Sequence, residues 1–377
     1  KDLAVSQGGV VYRNKFLEIL QYQPTTAQVY EIPLVVMTPQ INKFYFLDLA
    51  PGRSFVEYMT SQGHQVFVVS WRNPGPQHGD WRLENYCEAL VDAIGAVTEI
   101  TRSPKVNTFG FCAGGITMSS LLSYLVHTGQ GRKVNAVSYA VTLLDFCHPA
   151  LIGILKSDYL LKVAKGASGA TGVLDGARLA TLFTMLRPKD LIWDNWVNNY
   201  VMGNPAPVFD ILAWNNDSTN LPAGLHHDYM TIFNENLLAR PGGFEVLGAP
   251  VDVGKITQDA IVVGTVTDHL TPWQGCYKTT QLLGGNAEFV LSSAGHVAGL
   301  VNPPGNPKAF YFTGPEPGPD PEQWRSQAQK HSGSWWEYWV VWASSRSGRK
   351  KRSSRTLGSR KHPVLASAPG TYIFEEP

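Results

Sequence analysis

Charge is scarce in this sequence. Asp, Glu, Lys and Arg make up 16% of the 377 residues and balance to a formal net charge of +1, so no global field points to nucleic acid. Cysteine is scarce as well. Cys87, Cys112, Cys147 and Cys276 are widely spaced and form no C-x-x-C. No signal peptide opens the chain, and a reduced, cytoplasmic setting is expected. No apolar run is long enough to span a bilayer, so no transmembrane segment is expected. There is no initiator Met: 1–23 reads as the middle of something longer.

What is there centres on 106–120, VNTFGFCAGGITMSS. An apolar run reading as a strand ends at Gly110, and a helix-compatible run begins at Ile116. Between them stands G-x-nucleophile-x-G with cysteine in the nucleophile position. Such a turn is sharp and its backbone strained, so side chains at the flanking glycines would clash. It exposes the thiol above the sheet and aims a helix N-terminus at it, which favours thiolate and oxyanion alike. Ala113 is placed to lend its backbone N–H to an oxyanion hole. The bland alternative is a Gly-rich strand–helix turn carrying a buried cysteine.

Around this turn the order is strand–helix repeated. Apolar strands are expected at 34–37, 65–71, 134–144, 260–266 and 287–291, with helices at 52–62, 84–100 and 273–283. Cys87 and Cys276 fall on helices among apolar neighbours and read as packing residues. The pattern predicts a mostly parallel α/β sheet. Residues 146–255 break the alternation; they read as helical and irregular, rich in Trp, Asn and Pro, and as a cap over the site. The organisation expected is therefore 1–145 as the first part of the core, 146–255 as the cap, 256–345 as the second part of the core and 346–377 as a basic C-terminal tail. The tail holds Arg349-Lys350-Lys351-Arg352. It reads as solvated, or as an electrostatic contact for an anionic surface.

Cys112, Asp268 and His296 occur in the order nucleophile, acid, histidine, each where a strand runs into a loop. This is the order of the α/β-hydrolase fold. In that fold the loop after an early strand supplies a second oxyanion N–H, for which Ile41 is nominated. His269, beside Asp268, is the runner-up base. Arg187, Trp193 and Trp214 are candidates for substrate binding or for packing within the cap. His226 and His227 are adjacent, should diverge on a helix, and make a poor metal pair. No metal or cofactor is implied.

A cysteine nucleophile forms a thioester, and a thioester donor exchanges onto it with little loss of free energy. The bound acyl group stays activated for attack by an alcohol. Acyl transfer is favoured over hydrolysis, more so where an apolar cap excludes water.

At this point several long strings carry a resemblance. They are Pro39-Gln40-Ile41-Asn42-Lys43-Phe44-Tyr45, Val69-Ser70-Trp71-Arg72-Asn73-Pro74, Gly110 to Gly115, and Arg187-Pro188-Lys189-Asp190-Leu191-Ile192-Trp193. Trp214-Asn215-Asn216-Asp217-Ser218-Thr219-Asn220, Asp268-His269-Leu270-Thr271-Pro272-Trp273, Gly295-His296 and Ser334-Trp335-Trp336 continue it. Through nearly all its length the chain resembles the catalytic part of bacterial poly(3-hydroxyalkanoate) synthases. The resemblance implies an α/β-hydrolase fold with an inserted helical lid. It implies an acyltransferase that polymerises (R)-3-hydroxyacyl-CoA into polyester and frees CoA, with coenzyme A as part of the substrate and not a cofactor. Cys112 would hold the growing chain and His296 deprotonate it; Asp268 would orient His296 or help activate the monomer's 3-hydroxyl. It further implies a cytoplasmic homodimer at polyester granule surfaces, with an N-terminal domain ahead of the catalytic part. The strings at 208–212 and 214–217 lean toward medium-chain monomers, and chain-length choice stays open. Two other readings compete: a cysteine hydrolase of the dienelactone-hydrolase type, which the long insertion argues against, and a non-catalytic granule-surface scaffold.

Overall fold

The continuous apolar runs form the middle of one sheet in the computed structural model, which describes residues 3–147, 158–185 and 210–376. The strands are β1 (Gly8–Arg13), β2 (Leu17–Tyr22), β3 (Leu34–Met37), β4 (Val66–Trp71), β5 (Val106–Phe111) and β6 (Val134–Ala140). They continue as β7 (Asp259–Thr265), β8 (Ala287–Ser292), β9 (Phe310–Thr313), β10 (Gln329–Ser332) and β11 (Ala366–Ser367). Across the sheet the order is β10-β9-β8-β7-β6-β5-β3-β4-β2-β1-β11. Strands β3 to β8 pair in parallel, and the flanking strands on both edges are antiparallel.

The parallel strands are apolar at successive positions because both faces are covered. Val35, Met37, Phe67, Val69 and Val262 face one core layer, beneath the helices Leu83–Thr101, Ala113–His127 and Trp273–Leu282. Their neighbours Leu34, Val36, Val66, Val68 and Val263 face the other, with Phe55–Ser61 and the Trp-rich helix Trp335–Ser345. That last helix starts at Ser334, whose hydroxyl accepts the Trp336 N–H at 3.0 Å while Glu337 accepts the Ser334 N–H at 3.0 Å, a reciprocal cap. Its buried indoles carry a second task. Trp335 Nε1 donates to Gly299 O and Trp336 Nε1 to Leu300 O, each at 2.8 Å. Those carbonyls end the short helix His296–Leu300, so the tryptophans anchor the element that carries His296.

One expectation needs correcting. The 346–377 segment is folded and not a free tail: Lys350–Arg352 pairs antiparallel with Gln28–Tyr30, and β11 extends the main sheet beside β1. Backbone pairing holds it although its side chains are polar. The 146–255 segment, inserted between β6 and β7, is largely helical in its described parts, at Asp158–Thr171, Gly176–Met185, Asp210–Asn215 and Ala223–Glu235. Its last helix is not peripheral: Leu225, Tyr229 and Ile232 are buried in the same core layer as the helix Leu83–Thr101. Arg187 and Trp193 lie outside the described residues.

Trp335→Phe keeps a ring in the core but removes the shorter of the two hydrogen bonds to the Gly299 carbonyl, leaving the Ser292 hydroxyl at 3.2 Å. It should lower the free energy of unfolding by about 1–3 kcal/mol, read as a lower denaturant midpoint at unchanged slope.

Candidate active site

Strand β5 delivers Cys112 at the turn into the helix Ala113–His127, with φ 49° and ψ −123°. That strained conformation is held from three sides. The Cys112 N–H donates to Ala140 O at 2.9 Å, the Gly115 N–H donates to Cys112 O at 2.9 Å, and the Thr142 hydroxyl donates to Cys112 O at 3.1 Å. The glycines are required by contact: a Cβ on Gly114 would stand 2.2 Å from the Met37 carbonyl oxygen, and one on Gly110 2.6 Å from the Cα of Gly115. The first of these distances also places the loop after β3 directly against the turn. Cys112 itself is half-buried, beside a helix whose first amide is that of Ala113.

Asp268 lies on the turn after β7, its side chain fully buried. Its Oδ1 accepts the backbone N–H of Leu270 at 2.9 Å and of Thr271 at 2.8 Å. Its Oδ2 accepts the Thr271 hydroxyl at 2.8 Å, the Thr265 hydroxyl at 3.2 Å and His296 Nδ1 at 2.7 Å. A carboxylate ringed by donors is ionised, so Nδ1 is the donor and carries a proton. The imidazole is also close enough to Cys112 for the sulfur to favour its charged form. With Nδ1 engaged by the carboxylate, Nε2 is the nitrogen left for the sulfur. The structure thus brings Cys112, His296 and Asp268 together at the C-terminal ends of the parallel strands.

The electrostatics agree with the geometry. Burial works against a charged His296, but the charge and hydrogen bond of Asp268, then the nearby Cys112, outweigh it and push the imidazole up to about 10. Burial likewise works against an ionised Asp268, and is outweighed by the His296 charge, the His296 hydrogen bond and the Thr271 donors, so the carboxyl lies below its ordinary value. A positive ring held against the sulfur is the partner that a negative sulfur needs.

The chain matches known proteins over its whole length. Residues 1–59 fit the family described as "Poly-beta-hydroxybutyrate polymerase (PhaC) N-terminus", and residues 47–303 fit the alpha/beta hydrolase fold. Poly(3-hydroxyalkanoate) polymerase 2 of Ectopseudomonas oleovorans is 45% identical over 373 residues, covering 99% of this chain and 67% of that one. Polymerase 1 of the same organism is 44% identical, covering 100% of this chain and 67% of that one. The chain belongs to the poly(3-hydroxyalkanoate) polymerase family. A poly(3-hydroxyalkanoate) polymerase subunit of Cupriavidus necator is 36% identical, covering 99% of this chain and 64% of that one. The chain therefore spans about two thirds of the length of these polymerases.

The other sequence candidates fall as follows in this polymerase-family chain. Ile41 is half-buried on the loop after β3, the loop that packs on the Cys112 turn. His269 is half-buried next to Asp268, but the ring that meets the carboxylate is that of His296. Trp214 is buried against Phe46, ring centroids 5.5 Å apart, and its indole donates to Lys43 O at 2.7 Å, so it packs the inserted segment onto the core. His226 and His227 do not diverge. His226 Nδ1 and His227 Nε2 lie 2.9 and 3.2 Å from the Ser168 hydroxyl, because the facing helix Asp158–Thr171 offers one polar group between them. Among the described residues no group of three or more His, Cys, Asp or Glu is placed to hold a metal ion. Cys87 and Cys276 are buried, and burial pushes both thiols up, as packing residues require.

Sequence reasoning missed the residues that hold the loop and the acid in place. Gln40 is buried behind the Cys112 turn; its Nε2 donates to Thr117 Oγ1 at 3.0 Å and its Oε1 accepts the Tyr229 hydroxyl at 2.7 Å. Thr117 Oγ1 and Tyr229 OH are 3.1 Å apart, closing a buried triangle. It joins the loop after β3, the helix after Cys112 and the last helix of the insertion. Its members are 77 and 189 positions from Gln40, and no local pattern marks such a contact.

Two outcomes are expected. Gln40→Leu preserves bulk but removes two hydrogen bonds from the triangle, and should cost about 1–3 kcal/mol in chemical denaturation. Asp268→Asn removes the leading upward influences on His296 and leaves burial in place. The ring's titration, followed by NMR, should fall from about 10 toward or below the ordinary histidine value of roughly 6.5. The stability sign follows. The raised His296 stabilises the fold fully below its ordinary value, and that contribution fades as pH climbs through about 10. The lowered Asp268 contributes fully above the ordinary carboxylate value and loses its contribution as pH falls through its depressed one. Continued titration of His296 near 10 in the Asn variant would contradict the assignment.

Proposed function

We propose that this chain polymerises (R)-3-hydroxyacyl groups from their CoA thioesters and releases CoA, through acyl groups carried on Cys112. The observation that supports this reading is the Cys112 sulfur at a turn where a helix begins, within electrostatic reach of a ring that Asp268 fixes at 2.7 Å. The sulfur attacks the thioester carbonyl, and the new C–S bond places negative charge on the carbonyl oxygen. The Ala113 N–H, with the Ile41 N–H as second donor, stabilises that charge. Collapse breaks the bond to CoA, and the departing thiolate takes the proton from His296. Neutral His296 then removes the proton from the 3-hydroxyl of the next monomer as its oxygen attacks the Cys112 thioester. An ester bond forms, the Cys112 sulfur leaves as thiolate, and the ring is protonated again. Asp268 orients the ring and balances its charge. The cysteine keeps the acyl group activated between steps, which an oxoester on serine would not.

In this reading the substrates are (R)-3-hydroxyacyl-CoA molecules, the product chain grows at a granule surface in the cytoplasm, and the working unit is a homodimer. The insertion between β6 and β7 acts as the lid that excludes water.

Incubation with 3-hydroxybutyryl-CoA, following CoA release and polymer together, tests the proposal. Polymer with stoichiometric CoA is expected; free hydroxy acid without polymer would point to a hydrolase. His296→Ala should slow CoA release by about 10²–10⁴-fold. Cys112→Ala should abolish it, and Cys112→Ser should lose most turnover. CoA release unchanged in the Ala variant would leave only a scaffold role.

A further inference from the structure

The parallel strands have two ends, and Cys112 occupies one of them. At the other end, before β3, β4 and β5 begin, lies a groove of about 880 Å³. Six residues of β5 at about 3.3 Å each put it roughly 20 Å from the nucleophile. Its walls come from the turn between the helix Leu83–Thr101 and β5, and from the basic segment after the Trp-rich helix. Arg102, Lys105, Lys351, Arg352 and Arg360 line it, with Glu31 as the carboxylate among them.

Two features distinguish these cations from an ordinary solvated run. Their backbone is held in place: Lys350–Arg352 pairs with Gln28–Tyr30, the Ser353 N–H donates to Ala27 O at 3.0 Å, and the Gly358 N–H donates to Gln21 Oε1 at 2.6 Å. They are also not neutralised. Elsewhere on the protein Arg13 pairs with Glu18, Arg72 with Glu375, Arg346 with Asp259 and Lys361 with Glu99. Among the described residues, none of the five groove cations forms an ion pair. The Lys351 ammonium reaches Thr101 O at 2.8 Å. Burial disfavours its charge and so does the neighbouring Arg102, against a partial offset from Glu31, and its pKa is lowered. Gathering like charges in a concave site costs free energy unless an anion enters it. Beneath the cations the groove has an apolar floor of Val29, Ile32 and Ile100. That floor suits the carbon skeleton attached to a charged group.

We propose that this groove binds phosphate esters, with the phosphate held by Arg102, Lys351 and Arg360 and the attached organic part against the apolar floor. Arginine forks match phosphate oxygens bidentately, and a fixed backbone lowers the ordering cost of binding. The same chemistry is offered by a free nucleotide-type phosphate and by the headgroup of a phospholipid. The site is separate from the acyl-transfer reading and does not depend on it.

The test uses the intact chain and two probes. ADP represents a free phosphate ester and has no thioester to meet Cys112. Phosphatidylglycerol vesicles represent a lipid headgroup, with phosphatidylcholine vesicles as the neutral reference. At low salt the wild-type chain should hold ADP, phosphatidylglycerol vesicles in preference to phosphatidylcholine, or both. Binding should weaken as salt rises from about 0.05 to 0.3 M, as the Debye length shrinks. Arg102→Gln with Arg360→Gln, both exposed, should weaken it at least tenfold. Arg132→Gln with Lys255→Gln removes the same charge elsewhere and should leave it within twofold. ADP without vesicles assigns the site to free phosphate esters, and vesicles without ADP to headgroups. Absence of both, or equal losses in the two double variants, would overturn the proposal.

Discussion

Backbone crowding at the end of β5 is the constraint from which the rest of the site follows. Three close contacts leave no room for a side chain on these glycines: Gly114 against the Met37 carbonyl, Gly110 against Gly115, and Gly115 against the Thr142 side chain. This approach forces Cys112 into a conformation that L-residues rarely adopt, and in return the thiol projects from the sheet while remaining half-buried. It also fixes where the loop after β3 must run, because Gly114 leaves no gap between that loop and the helix. The nucleophile and its nominated oxyanion donors are thus positioned by one packing event. Gln40, Thr117 and Tyr229 then lock the loop from behind with buried hydrogen bonds, and bring the insertion's last helix into the same unit.

The acid and base are held by different means. Asp268 does not depend on tight packing; it is fixed by donors from Leu270, Thr271, Thr265 and His296. Those donors satisfy a fully buried carboxylate that would otherwise be costly, and they keep it ionised. His296 sits on a five-residue helix, too short to be stable alone. Its far end is tied to the indoles of Trp335 and Trp336, some forty positions on in the sequence. The tryptophan richness of the C-terminal part therefore serves the site through hydrogen bonds as much as through apolar area.

How far the sequence revealed this depended on range. The parallel strands were legible because burial on both faces leaves an uninterrupted apolar run, as in 66–69 and 260–263, and because turn residues bound each run. Cys112, Asp268 and His296 were legible as a group because they follow strands β5, β7 and β8 in a fixed chain order. The edge strands were not. β1 has two glycines, and its outer partner β11 is a two-residue strand more than 350 positions away. For the basic segment the charge pattern pointed to solvent, whereas a backbone ladder with Gln28–Tyr30, which leaves no trace in side-chain composition, decided its structure. The expected divergence of His226 and His227 failed for a related reason: spacing on their own helix says nothing of the serine that the facing helix inserts between them.

The two ends of the parallel strands handle charge in opposite ways, and the contrast bears on what each can do. At the C-terminal ends Asp268 and His296 are buried and matched, so their interaction is little screened and salt should barely alter it. A reaction whose charge moves between sulfur, ring and carbonyl oxygen benefits from that environment, because the compensating groups are in place before the charge develops. At the N-terminal ends cations are grouped, partly exposed and, among the described residues, left without ion-pair partners, an arrangement that responds to salt and to added anions. The two ends lie roughly 20 Å apart, about twice the Debye length at physiological ionic strength, so solvent and counter-ions around the partly exposed cations screen them from the site at the other end. Surface charge can therefore differ at one end of the sheet without disturbing the chemistry at the other.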